Sequence, residues 1–313
     1  MPINSPEDIR QHTWQYNDGS LGGWHGYLNQ LDGYAHSSNA LLAVYQATRE
    51  RGVRFYAGDS GTVTDIVYTQ SPSGSTGRRS TGVKTKTGFF SAKLVIVAAG
   101  AAAAKLVPEC GQRVVAKSWA VAHVRLTDDE TSALRGIPVT YARDLGFFFE
   151  PDPKTNLLKL CPMGGGYVNT DPKTGVSHPP DSLSQNNFMP REEQQQLRRL
   201  LAQTLPSLAD RPLVRQSLCW FADTSDSDFI IDHVPNTNST VLLMSGDSGH
   251  GFKMFPIVGN WVRDMLNSAD GKQAVARFRW KDEKSTDWGD SVSWRLGGIK
   301  EFRDLDNPNA SKL

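Results

Sequence analysis

The sequence predicts an α/β protein joined to an antiparallel α+β part, and three stretches carry that reading. The first is 241–266. An apolar run of strand length (241–244) meets a small-residue turn (245–251), and then Val258, Trp261, Val262 and Met265 recur at helical spacing. The second is 93–100, a continuous apolar run ending in Gly100, as buried parallel strands do. The third is 114–149, where alternation and aromatic residues replace continuous runs and predict an antiparallel sheet in a separate domain. A strand, glycine turn and helix in succession bring a ligand against backbone N–H groups. Gly249 and Gly251 are expected at positive φ to permit that approach, and Lys253 adds a fixed charge beside it.

The remaining elements follow in order. Asn39 or a nearby serine is the expected N-cap of a helix with Leu41, Val44, Tyr45 and Thr48 on one face and Gly52 as its stop. Residues 53–56 and 61–68 read as strands, and 71–80, rich in Ser, Gly and Arg, as the surface turn of a hairpin or meander. Residues 191–205 are helical, with Leu197, Leu200 and Leu201 on one face. Residues 217–220 and the strand-like Phe229-Ile230-Ile231-Asp232 lead into the 241–266 unit.

A net charge of +1, from 34 basic and 33 acidic residues among 313, gives no electrostatic basis for nucleic-acid binding. No apolar run approaches the roughly 20 residues of a membrane span, and the polar N-terminus is not a secretory signal. Cys110, Cys161 and Cys219 make no disulfide framework, which suits a reducing compartment. No metal site is expected. The last three residues, Ser311-Lys312-Leu313, match a peroxisomal address, which implies an import receptor as partner and the peroxisome as location.

Cys110 and Cys161 read as small buried hydrophobes, but Cys219 stands in a longer ordered signature. The segments LDGYAHSSNAL (31–41), KLVIVAAGA (93–101), AKSWAVAHVRL (116–126), ARDLGFFFEPD (142–152), LCWFADTSDSDFIID (218–232) and SGDSGHGFKMFPIVGNWV (245–262) succeed one another over most of the chain. Jointly they resemble the flavin-dependent amine oxidases that include sarcosine oxidase and, more closely, the fungal fructosyl amino acid oxidases, or amadoriases. The resemblance implies FAD joined through its 8α carbon to Cys219 as a thioether. It places Lys253 near the flavin and the substrate carboxylate, and Glu150 in the lining of the substrate pocket. It puts Val63 at the adenine end of the cofactor. Gly249, Gly251, Phe252 and Lys253 would line the ring, with backbone N–H groups at 251–253 facing the negative charge of the reduced form.

The same resemblance implies a GR2-type FAD-binding α/β domain built from 28–112 and 229–268, an antiparallel α+β substrate domain over 113–228, and a tail over 269–313. The sequence contains no G-x-G-x-x-G after a strand, so the FAD-binding domain is expected to be incomplete at its N-terminus. The implied reaction is oxidation of a secondary amine, a fructosyl or other N-substituted amino acid, to the imine, with O₂ reduced to H₂O₂ by a monomer. The alternatives are an oxidase of amino-acid-derived intermediates in fungal alkaloid metabolism, or an inactive remnant of such an enzyme.

Overall fold

The computed structural model describes residues 1–70, 77–281 and 296–306. A helix α1 (Ser37–Glu50) comes first of the elements that matter here, followed by a meander of β1 (Val63–Gln70), β2 (Arg78–Thr85) and β3 (Phe89–Ser91). The apolar run contributes a short strand, β4 (Val95–Val97). The alternating stretch then forms β5 (Val115–Arg125), β6 (Thr140–Ala142), β7 (Gly146–Phe148), β8 (Leu157–Pro162) and β9 (Tyr167–Val168). After helix α2 (Arg191–Thr204) come β10 (Leu213–Asp223), β11 (Ile230–His233), β12 (Val241–Ser245), helix α3 (Val258–Leu266) and a last short strand, β13 (Lys300–Glu301).

Three sheets organise these strands. The meander is one. The second orders β11, β12 and β4, with β4 parallel to β12, so the two continuous apolar runs lie side by side. The third runs β13-β9-β5-β8-β7-β6, with β10 antiparallel to the other edge of β5. One face of this large sheet carries Ala120, Ala122, Val124, Phe148, Leu158, Leu160 and Leu218, which pack beneath Leu197, Leu200 and Leu201 of α2. The other face carries the alternate residues and is the one that bears the site.

Several local expectations are corrected. Residues 53–56 are not a strand; Val53, Phe55 and Tyr56 are exposed and meet no partner strand among the described residues. The strand expected over 61–68 starts only at Val63, because 58–61 form a helical turn. The strand β2 begins at Arg78, inside the stretch read as turn, while 71–76 lie outside the described residues. Helix α1 begins two residues before Asn39; its N-cap is His36, which makes no side-chain cap bond. Its apolar face is open among the described residues, with Leu41 51% and Val44 44% exposed. Described residues beyond 268 pack on separate clusters. Trp280 packs on the cluster around Val97 and Val241, Phe278 on Phe229 and Ile231, and Phe302 on Phe188 and Trp220.

One buried acid in α2 makes stability depend on pH. Glu193 is 7% exposed, its Oε2 has no hydrogen-bond partner among the described residues, and burial pushes its carboxyl up to about 7, against an opposing bond from Tyr167. A carboxyl whose folded pKa lies above its ordinary value of 4.5 holds its proton more tightly in the folded state. Stability therefore falls as pH rises through that window, by about 3 kcal/mol in all. The substitution E193Q should flatten this slope. Denaturant midpoints measured from pH 4 to 8 should match wild type at the acid end and exceed it at pH 8.

Candidate active site

Residues opposed in an antiparallel pair point to the same face of the sheet. The registers Cys219↔Trp119, Ser217↔Val121, Lys159↔His123 and Cys161↔Phe147 therefore place these side chains together on the face away from α2. Cys219 is exposed on that face, whereas Cys110 and Cys161 are buried, as their sequence context predicts. Desolvation by the surrounding strands raises the Cys219 thiol above its ordinary pKa, the Lys159 ammonium pulls it down, and Asp247 pushes it up again.

The glycine turn closes over one end of this face. Asp247 Oδ2 accepts from the Ala222 amide at 3.0 Å, and Oδ1 accepts from the Gly249 amide at 3.0 Å. The Ser248 amide donates to the Ala222 carbonyl at 2.8 Å, so the turn continues the hydrogen bonding of β10 beyond Cys219. Gly249 has φ +78°, and a Cβ there would stand 2.8 Å from the Trp119 ring. That contact ties the turn to the cysteine, because Trp119 is the register partner of Cys219 and its indole N–H is held by the Gly164 carbonyl at 3.1 Å.

Gly251 departs from the expectation: it is not at positive φ and opens a short 3₁₀ turn, Gly251–Met254. Glycine is needed there because a Cβ would lie 2.6 Å from the Cβ of Asp247. The left-handed positions of the turn are Gly246, Ser248 and Gly249. The Lys253 amide donates to the His250 carbonyl at 3.1 Å, so it is engaged in the turn rather than facing a ligand. The Lys253 side chain is exposed, and Phe252 stacks on Phe255 with centroids 5.1 Å apart.

At the other end of the face an aromatic wall runs Tyr141, Phe147, Phe149, Tyr34, with successive centroids 6.0, 5.6 and 5.4 Å apart. The Lys159 ammonium stands 5.8 Å from the Phe149 ring. Both oxygens of Glu150 are engaged, Oε1 by the Tyr34 hydroxyl at 2.7 Å and Oε2 by the Gly136 amide at 2.7 Å. The carboxylate therefore fixes Tyr34 against the wall. Val63 lies apart, at the start of β1 in the meander.

The structure thus brings Cys219 and the glycine turn together through Trp119, while Glu150 stands with the aromatic wall at the other end of the face. Sequence reasoning missed Lys159, Trp119 and Asp247. The signal for Lys159 was a single cation in the otherwise apolar Leu157-Leu158-Lys159-Leu160-Cys161, at a position that alternation turns towards the exposed face. No group of three or more His, Cys, Asp or Glu able to hold a metal occurs among the described residues. No helix among them is long and apolar enough to cross a membrane.

Comparison with known proteins identifies the family. The family model described as FAD dependent oxidoreductase matches residues 5–265. L-saccharopine oxidase of Schizosaccharomyces pombe is 31% identical over 97% of this chain and 71% of that enzyme. Monomeric sarcosine oxidase of a Bacillus species is 25% identical over 63% of this chain and 48% of its own length. Among solved structures, Amadoriase II, the fructosamine oxidase of Aspergillus fumigatus, superposes with a TM-score of 0.86 at 28% identity, covering 98% of this chain and 70% of that one. Amadoriase I of the same organism gives 0.84 at 29% identity, covering 97% and 69%. On this evidence the chain belongs to the FAD-dependent oxidoreductases.

Proposed function

We propose that the chain is an oxidase of N-substituted amino acids that carries FAD on Cys219. The observation that carries this reading is an exposed cysteine on an open sheet face that also carries the Lys159 cation, with a glycine turn locked against the cysteine's register partner. The fit to a flavin rests on the same atoms. The thiol is accessible on the open face, and the turn is held in a conformation that side chains at 249 and 251 would obstruct. Attachment forms a C–S bond in place of the S–H of Cys219 and one 8α C–H; two electrons pass to the ring system and leave on dioxygen. When bound, FAD accepts a hydride equivalent from the carbon next to the amine nitrogen and delivers two electrons to O₂, giving H₂O₂.

The chain's own residues bind and orient around that chemistry. Cys219 fixes the ring, and Gly249 and Gly251 let the turn pack closely against Trp119 and Asp247 beside it. Lys253, exposed at the end of the turn, pairs with the substrate carboxylate. Lys159 places a positive charge on the same face, where an electron-rich ring and reduced oxygen species are stabilised. Glu150, bound to Tyr34, holds the aromatic wall that borders the amine, and Val63 lies at the adenine end. The near full-length similarity to a saccharopine oxidase favours substrates in which two amino acid units share one nitrogen, with fructosyl amino acids as the second class.

Peroxide production agrees with import into peroxisomes, although Ser311-Lys312-Leu313 lie outside the described residues. A peroxide-coupled assay of the purified protein against saccharopine, fructosyl-valine and N-methylglycine tests the reading. Amine-dependent peroxide from at least one supports it, and a flavin-loaded chain silent towards all three contradicts it.

A further inference from the structure

The glycine turn and the strand bearing Cys219 are separate elements, and one carboxylate joins them. Asp247 accepts from the Ala222 amide, three residues beyond Cys219, and from the Gly249 amide, whose residue packs on Trp119. The adjoining Ser248, fully buried, has φ +46°, donates from its amide to the Ala222 carbonyl and accepts on Oγ from the Thr224 amide at 3.2 Å. The Asp247 carbonyl closes the turn by accepting from the His250 amide at 2.8 Å. No sheet pairing joins β10 to β12. The position of the turn relative to Cys219 is therefore set by these few bonds, and Asp247 takes part on both sides.

We infer that Asp247 is the positioning residue for cofactor attachment. Acting through Ala222 and Gly249, it holds the glycine turn at the distance from Cys219 that the tethered ring requires. The inference rests on the proposed attachment at Cys219. The carboxyl is suited to the role because it is half-buried between the turn and β10. Burial raises its pKa, the two amides oppose that shift, Asp223 adds to it and His250 opposes it. The titratable groups that act electrostatically on the thiol from neighbouring elements are Lys159 and Cys161 on β8 and Asp247 itself.

The substitutions D247N and G249A separate charge from position. Asparagine keeps the size of the side chain but accepts with one oxygen only and turns an NH₂ towards a second amide donor. Alanine at 249 leaves the charge in place and drives a methyl towards Trp119. Two quantities are measured on the 313-residue chain: the pH profile of Cys219 alkylation by iodoacetamide, read by peptide mass spectrometry, and the fraction of chain carrying covalent FAD after reconstitution. Thermal midpoints establish that each variant is folded.

In D247N the alkylation midpoint should move to lower pH and the covalent fraction should fall several-fold. In G249A the midpoint should stay within about 0.3 pH units of wild type, a shift too small to represent loss of a neighbouring charge, while the covalent fraction falls as in D247N. Profiles that overlay for all three proteins, with equal flavin content, overturn the inference. Should wild type itself take up no covalent flavin, the attachment reading fails, and the thiol profiles still decide whether Asp247 governs Cys219. If D247N does not fold, G249A and wild type decide through the covalent fraction alone.

Discussion

The substitution C219A should abolish acid-stable flavin completely. No other side chain on the open face combines exposure with a nucleophilic sulfur: Cys161, on the same face, is buried, and burial raises its thiol to about 12. Cofactor that still binds without the thioether loses its anchor at the ring. Since misplacement by an ångström costs on the order of a hundredfold in rate, amine-dependent peroxide formation should fall by about that factor. The check is the absorbance near 450 nm of the acid-precipitated pellet, together with the peroxide assay. A yellow pellet from C219A would transfer the attachment to another residue.

The second large effect concerns the support beneath the site. Lys117 Nζ and Asp223 Oδ2 are 2.6 Å apart with both side chains 1% exposed, and they join β5 to the end of β10 next to Trp119 and Phe221. Gly166, at φ +84°, leaves room for the Lys117 stem, which a Cβ there would approach to 3.0 Å. Deleting one member of such a pair strands the other as a buried charge, at a cost of about 3–5 kcal/mol. The variant K117M should lose that much in urea unfolding, and K117M/D223N should recover most of it, because no unpaired charge remains. A K117M midpoint equal to wild type would show that Asp223 does not depend on Lys117 for its neutralisation.

How much of this was legible in the sequence depended on the period of each element. The β4 and β12 runs and helix α3 were legible because continuous and helical periods of apolar residues leave few alternatives. The large sheet was legible from alternation, and Cys219 from its place in an ordered signature. Residues 53–56 were misread because Val53, Phe55 and Tyr56 look like a strand to any local rule, yet a strand exists only where a partner pairs with it. Gly251 was assigned positive φ for being a glycine in a turn, when its need is lateral room beside Asp247. Asp247 itself looked like one more turn residue, because the Ala222 amide that it serves lies 25 positions away. Trp119 became a site residue only once register put it opposite Cys219, and Lys159 once register put it on the same face.

The central claim is that FAD is bonded to Cys219, and the most direct test is the mass of the proteolytic peptide containing Cys219 from the purified, FAD-reconstituted chain. A Cys219 peptide heavier by FAD, yellow and stable to acid, is the predicted result. An unmodified Cys219 peptide from protein whose flavin is wholly released by acid would contradict the claim.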